Sequence, residues 1–252
     1  MLSPDLIDGL TGDQVRALPV YLGKNQCRVD DFFNVEGEGC DELKIVGDVH
    51  NVKWIGRDMT RGRITVDGNA GMHLGSAMQG GEIEVSGSTS DWLGAEMTGG
   101  SIRIKGNAGG QVGGAYRGSL TGMQEGTIII EGTAGLEVGG RMKRGTIVVV
   151  GGVRDFAGLE MRGGTIILGK ADLRTGAGMI RGTIVSLKPI PILPTFLYAS
   201  TYNPTFLGLY RKRLQIPGFE IPTAGQDGAY QRYTGDQAIP GKGEILVWQP
   251  RT

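Results

Sequence analysis

Gly75-Ser-Ala-Met78-Gln-Gly-Gly81-Glu-Ile83-Glu-Val85-Ser-Gly87 is the stretch on which the fold turns, because it recurs. Methionines stand at 59, 78, 97, 123, 142, 161 and 179, at steps of 19, 19, 26, 19, 19 and 18 residues. Gly62, Gly81, Gly100, Gly126, Gly145, Gly164 and Gly182 follow them at a constant offset. Tyr116 lies 19 residues after Met97, so the spacing gives it the methionine place and makes Arg117 to Met123 an insertion. The unit reads G-x-x-M-x-x-G-x-I-x-V-x-G-x-A-G. A fixed period of this length signals stacked repeats and must be recognised before any local reading.

Within each unit Gly81–Gly87 alternates apolar and polar residues, the period of a half-buried strand. A second segment follows the Ala-Gly pair, and G-x-x-M forms a third. Glycines mark the corners, where a side chain resists positive φ. The expectation is an all-β protein: a right-handed parallel β-helix of about seven coils with three short strands per coil. The hand is the default for parallel crossovers, and at roughly 4.8 Å per coil the stack is roughly 30 Å long. Ile64, Ile83, Ile102, Ile128, Ile147, Ile166 and Ile184 make one inward column. Val66, Val85, Ile104, Ile130, Val149 and Leu168 make a second. Burying each such side chain contributes about 1.5–3 kcal/mol, but only when neighbouring coils stack. The methionines make a third interior ladder, which fits their gap-filling shape better than soft-metal binding does.

The outward column between these ladders reads Thr65, Glu84, Arg103, then Ile129, Val148, Ile167, Val185. Since the inward columns stay apolar throughout, this is no register slip. An apolar stripe of four branched residues calls for a cover. The chain's own Pro189–Leu214 segment, carrying Phe196, Leu197, Tyr198, Phe206 and Leu207, is the expected cover, and a partner docking on the stripe is the alternative.

Residues 1–42 read as an N-terminal cap, 43–187 as the repeat and 188–252 as a loop-rich C-terminal extension. Thr11 and Gln14 form a capping-box signature for a short helix stopping before Pro19. Val20–Cys27 and Phe32–Val35 read as short extended pieces, and the region is expected to cover the first coil's exposed edge. Leu207–Leu214 suggests a short helix, and Gly243–Trp248 a strand. Arg211, Lys212 and Arg213 form the densest basic cluster, suited to a partner's acidic residues or to an anionic ligand.

Glycine makes up 46 of 252 residues, without the strict period of collagen, and 26 basic residues balance 26 acidic ones. That balance argues against a nucleic-acid binder. No apolar run is long enough to span a membrane, and no basic-then-apolar leader opens the chain. Cys27 and Cys40 do not make a disulfide framework, so free thiols and a cytoplasmic location are expected. His50 and His73 lack zinc spacing. His73 shares a column with Trp92, Gln111, Glu137, Phe156 and Arg174, which reads as an outward face. Asp91 and Glu96 recur as Asp155 and Glu160, which suits solvated repeats better than acid–base catalysis. Gly106–Gly114 resembles a phosphate loop only in composition, since a coil follows it and not a helix. No catalytic, metal or cofactor-binding residue is assigned to this chain.

The repeated motif resembles the GXGXG repeat domain found in the large glutamate synthase polypeptide and in the C subunit of formylmethanofuran dehydrogenases. The resemblance to the latter extends to Arg16–Pro19, Asp48–Met59, Gly71–Gly75, Asp91–Met97, Ala115–Ser119, Leu193–Phe196, Thr205–Leu207 and Gly241–Trp248. It implies a non-catalytic structural subunit of a complex handling formyl groups on methanofuran or methylofuran in one-carbon metabolism. Its implied partners are an amidohydrolase-like metal subunit, a formyltransferase subunit and a molybdopterin-subunit-like chain. The aromatic and basic extension resembles the bacterial formyltransferase/hydrolase form more than the tungsten or molybdenum dehydrogenase of methanogens. The carrier's glutamate-containing tail would make Arg211–Arg213 a contact for it. A stand-alone β-helix enzyme acting on polysaccharide would want clustered carboxylates, and a glutamate-synthase-like spacer would lack the extension after Leu187.

Overall fold

A computed structural model describes residues 2–214, 216–223 and 226–251. Eight parallel strands stack along one face of a right-handed coil: Glu42–Val46, Arg63–Asp67, Glu82–Val85, Ser101–Ile104, Thr127–Ile130, Thr146–Val149, Arg162–Leu168 and Arg181–Ser186. The eighth rung arises because Leu43 pairs with Ile64, one coil before the first methionine. Register keeps the isoleucine column intact from Ile64 to Ile184. That column and the seven methionines of the repeat are at most 2% exposed, so the interior is the stacked ladder itself.

The three segments of each coil differ in regularity. Only the first is a full sheet. Ahead of the second, at the Ala of the Ala-Gly pair, stand only Thr133–Ala134 against Gly152–Val153 and single bridges such as Val49 to Ala70. At this corner the side chain after each glycine pins the next coil. Asn69 Oδ1 accepts from Ser88 N (2.8 Å), Ser88 Oγ from Asn107 N (3.0 Å), and Asn107 Oδ1 from Thr133 N (2.8 Å). Neither the rest of the second segment nor the third is a strand: from one into the other alternate residues have positive φ, as in His73 (62°), Gly75 (62°) and Ala77 (54°). This stretch is still hydrogen-bonded, with N–H groups pointing alternately up and down the stack. His73 N donates to Asp91 O and Gly75 N to Ile55 O. Glycine is required at the middle position. At Gly94, a Cβ would lie 2.5 Å from Ile128 Cδ1 of the next coil.

Met123, not Tyr116, fills the methionine ladder of its coil: it is fully buried, and its N–H bonds Gly113 O as Met97 N bonds Gly94 O. The inserted loop is therefore Tyr116–Gly122, and it carries Tyr116 out of the coil. The spacing had placed Tyr116 there and the insertion at Arg117 to Met123; packing of the thioether into the ladder reverses that assignment.

At the N-terminal end, Leu2 O accepts from Gly56 N, the bond that a lower coil would otherwise supply. Asp5 accepts from the backbone N–H and the hydroxyl of Thr60. The capping box at Thr11 forms with both its bonds. Pro19–Leu22 and Asn25–Arg28 pair as a largely exposed antiparallel hairpin. Phe32–Val35 is not a strand but follows a single 3-10 turn at Val29–Asp31.

At the other end the chain returns. Gly243–Pro250 pairs parallel with Arg181–Ser186 as a ninth rung, and Ile245 and Val247 extend the interior ladder. Gly228–Gly235 and Leu197–Tyr202 follow antiparallel, completing one sheet of eleven strands. Phe196 plugs the last coil, its Cζ 2.9 Å from where a Gly176 Cβ would be.

Candidate functional site

The outward column was the strongest sequence signal for a contact surface. Val148, Ile167 and Val185 are fully buried, and Ile129 is half-buried at the rim. Their cover is the chain's own C-terminal region: Leu207 and Leu214 of the helix Leu207–Leu214, then Ile216, Ile221, Tyr230, Leu246 and Trp248. As a docking face for a partner these residues are therefore closed, because intramolecular cover already removes their apolar area from water. Of the covering residues expected, Phe206 and Leu207 join this lid and Phe196 joins the main core. Leu197 and Tyr198 remain exposed on the edge strand. Tyr230 is wholly buried with its hydroxyl on Pro222 O at 2.9 Å, and burial pushes that phenol well above its ordinary range.

Beside the lid helix runs an open groove of about 1060 Å³. Its floor is the glycine corner of five coils, and its wall is the hydroxyl ladder Ser101, Thr127, Thr146 and Thr165. Tyr210 of the helix donates to Thr165 Oγ1 at 2.9 Å, which fixes the helix over the coil. The basic cluster is split: Arg213 lines this groove together with Arg144, Glu82 and Glu125. Arg211 instead donates to Thr223 Oγ1 at 3.2 Å, and Lys212 is exposed on the helix. The groove offers hydroxyls and guanidiniums for binding. It holds no nucleophile with an adjacent base, and no group of His, Cys, Asp or Glu suited to a metal occurs among the described residues.

His73 does lie on an outward corner, in company that spacing did not show. Trp54 precedes it by one coil, with ring centroids 3.9 Å apart and planes at 6°. Tyr116 swings from the inserted loop to share a hydrogen bond with His73 Nδ1 at 2.9 Å and to stack on Trp92 at 4.9 Å. Burial, then the charges of Lys53 and Arg57, hold the His73 imidazole below its ordinary pKa. Trp54, His73 and Trp92 all have positive φ (66°, 62° and 66°), a conformation costing a non-glycine residue about 1–2 kcal/mol. The signal that could have found this corner was Trp54, 19 residues before His73, together with the ring in the insertion. The repeated carboxylates are structural pins. Asp91 accepts from Gly110 N (2.7 Å), Asp155 from Leu173 N (3.1 Å) and Glu96 from Tyr116 N (3.0 Å), while Glu160 pairs with Arg141 (2.8 Å).

A parallel β-solenoid with a glycine-methionine corner, closed by a lid from its own C-terminal region, is the class defined by these features. The chain belongs to the GXGXG motif family, whose profile matches residues 45–189. It is similar to the C subunit of tungsten-containing formylmethanofuran dehydrogenase 2 of Methanothermobacter thermautotrophicus, 40% identical over 80 residues, covering 30% of each chain. It is also similar to the C subunit of molybdenum-containing formylmethanofuran dehydrogenase 1 of that organism, 44% identical over 76 residues, covering 29% of this chain and 19% of the other. The match thus spans less than a third of these curated relatives. Similarity to a chain in the crystal structure of the formyltransferase/hydrolase complex of Methylorubrum extorquens with methylofuran is broader. There the TM-score is 0.87 at 32% identity, covering 99% of this chain and 93% of that one.

Proposed function

We propose that this chain is the non-catalytic, structural C subunit of a formyltransferase/hydrolase complex handling formyl groups on a methanofuran- or methylofuran-type carrier. What carries the reading is the likeness over nearly the whole of both chains, lid included, to a chain of such a complex. The shared part is not only the repeat, which unrelated assemblies could also use. In this reading the metal and the chemistry belong to partner subunits: an amidohydrolase-like chain, a formyltransferase chain and a molybdopterin-subunit-like chain. The assembly is cytoplasmic; no described helix is long and apolar enough to cross a membrane. Arg213, on the groove beside Arg144, is the member of the basic triplet best placed to meet an anionic carrier tail or an acidic partner. Residues 1–42, 43–187 and 188–252 serve as cap, scaffold and lid.

The test is purification of the tagged chain from its native host. Recovery with amidohydrolase-like and formyltransferase-type subunits, and formyl turnover by the assembly but not by the isolated chain, is expected. Turnover by the isolated, metal-analysed chain would overturn the reading. The second reading, the C subunit of a tungsten or molybdenum formylmethanofuran dehydrogenase, is supported by the 40–44% identity to those chains. It predicts a molybdopterin enzyme in the same preparation.

A further inference from the structure

We infer that Tyr116 is a proton-coupled electron donor: a diffusible one-electron oxidant takes an electron from its ring while its phenolic proton passes to His73 Nδ1. The inference needs no partner subunit and stands apart from the scaffold reading above.

The inserted loop sets up the pair. Glu96 Oε1 accepts from Tyr116 N at 3.0 Å where the chain leaves the coil, and Arg141 donates to Ser119 O at 2.9 Å further along. The phenol oxygen then lies 2.9 Å from His73 Nδ1. Other phenols bond only to oxygen. Tyr198 shares its bond with Thr201 Oγ1, Tyr210 donates to Thr165 Oγ1, Tyr230 to Pro222 O and Tyr233 to Gln231 Oε1. None of those oxygens takes up a proton near neutral pH, whereas an uncharged imidazole nitrogen does. The other histidine, His50, is on Asp48 at 3.1 Å. A phenol that loses an electron becomes strongly acidic, so it is oxidised most easily where a base waits within hydrogen-bond reach. Burial, then Lys53 and Arg57, hold His73 below its ordinary pKa against the pull of Asp91, so the ring is an uncharged base near neutral pH. Burial, with the charges of Glu96 and Asp58, holds the Tyr116 phenol above its ordinary range against the nearby Ser76 hydroxyl and Arg57. The phenol therefore keeps its proton until the electron leaves.

The step balances without any further reactant. Tyr116 loses one electron and its O–H bond, His73 Nδ1 gains an N–H bond, and the oxidant is reduced by one electron. The products are a neutral phenoxyl radical and an imidazolium. An electron returned from a one-electron reductant, with the proton going back from His73, restores the pair. The step uses the imidazole tautomer with its hydrogen on Nε2, which leaves Nδ1 to accept. Two indoles widen the target: Trp92 stacks on Tyr116 at 4.9 Å, and Trp54 lies 6.3 Å from Tyr116 and 3.9 Å from His73. All four rings are half-exposed, so an oxidant in solution reaches the group directly and a hole formed on either indole has a short path to the phenol.

The test uses the full chain and photo-oxidised ruthenium tris-bipyridine as the one-electron oxidant. A flash should produce the absorption of a neutral phenoxyl radical, formed more slowly in deuterated water because the proton moves with the electron. His73→Phe should slow its formation about tenfold or more. Phe156 holds the same column position at a φ of 66°, so the coil accepts that ring. Tyr116→Phe should remove the fast phase, and Tyr198→Phe, at an exposed phenol without a nitrogen base, should leave it. In the parent the rate should fall as the pH drops below the ordinary 6.5 of a histidine, since an imidazolium accepts no proton. That profile decides the matter if His73→Phe melts early. A folded His73→Phe chain that oxidises as fast as the parent overturns the inference. So does a parent rate indifferent to deuteration or flat through that pH range, or a fast phase that survives Tyr116→Phe.

Discussion

One column of the coil meets two different fates. In coils with Lys44, Thr65, Glu84 and Arg103 the outward face stays in water, laced by Glu84–Lys105 (3.1 Å) and Arg103–Glu131 (2.7 Å) ion pairs. In coils with Val148, Ile167 and Val185 the same positions are buried under the chain's own helix and strands. Backbone and register are the same in both, so the difference is carried by side chains alone. The half that is covered gains stability from burial; the half that is open keeps its strands soluble and accessible.

Placing a carboxylate at the same column in each half should give the widest separation. Val148→Asp leaves an unpaired charge under the lid and costs on the order of 3–5 kcal/mol. The expected outcome is release of the lid, seen as lost amide protection in Gly228–Gly235 with the earlier coils still protected. Thr65→Asp should stay within about 0.5 kcal/mol of the parent in denaturant unfolding. If both variants behave alike, the two halves are not the distinct surfaces described. Gly94→Ala strikes the interior common to both. Positive φ and crowding of Ile128, whose terminal methyl can partly give way, should together cost about 2–3 kcal/mol. Loss of protection centred on the adjoining coils, with the lid unaffected at first, would check it.

The seam between coil and lid has its own acid sensitivity. Asp236 accepts from Gly178 N at 3.0 Å and Ala238 N at 2.9 Å. Burial alone would raise its pKa, but the nearby Thr195 hydroxyl and the N–H bonds from Ala238 and Gly178 outweigh that and hold the carboxyl below its ordinary 3.8. Its contribution is therefore fully present above the unfolded value of 3.8 and is lost as the pH falls from there through the folded value. Amide protection of the lid should decline over that acid range in the parent, and Asp236→Asn should flatten the decline. The smallest effect belongs to the open half. Glu131→Gln breaks the half-exposed Arg103 pair and should cost about 0.2–1 kcal/mol, less at high salt.

Much of this was legible in the sequence because a stacked coil repeats its constraints. The isoleucine, valine and methionine columns, the glycine corners and the change of character after Arg103 each recur at one spacing, and recurrence makes a weak local preference decisive. What the sequence did not carry was anything made by residues off the period. The spacing gave the methionine place to Tyr116, but packing put Met123 in the core, since a flexible thioether fits the ladder and a ring with a hydroxyl fits the wet corner. Gly243–Pro250 read as a strand but gave no sign of joining the stack as its ninth rung, because pairing across some sixty residues leaves no periodic trace. Of the aromatic corner, residues 54, 73 and 92 lie on the 19-residue period, and only the arrival of Tyr116 beside them needed the tertiary structure. The chain alone determined that a β-solenoid with an apolar stripe would form. Only the tertiary structure decided what covers that stripe, because a cover depends on how the end of the chain folds back.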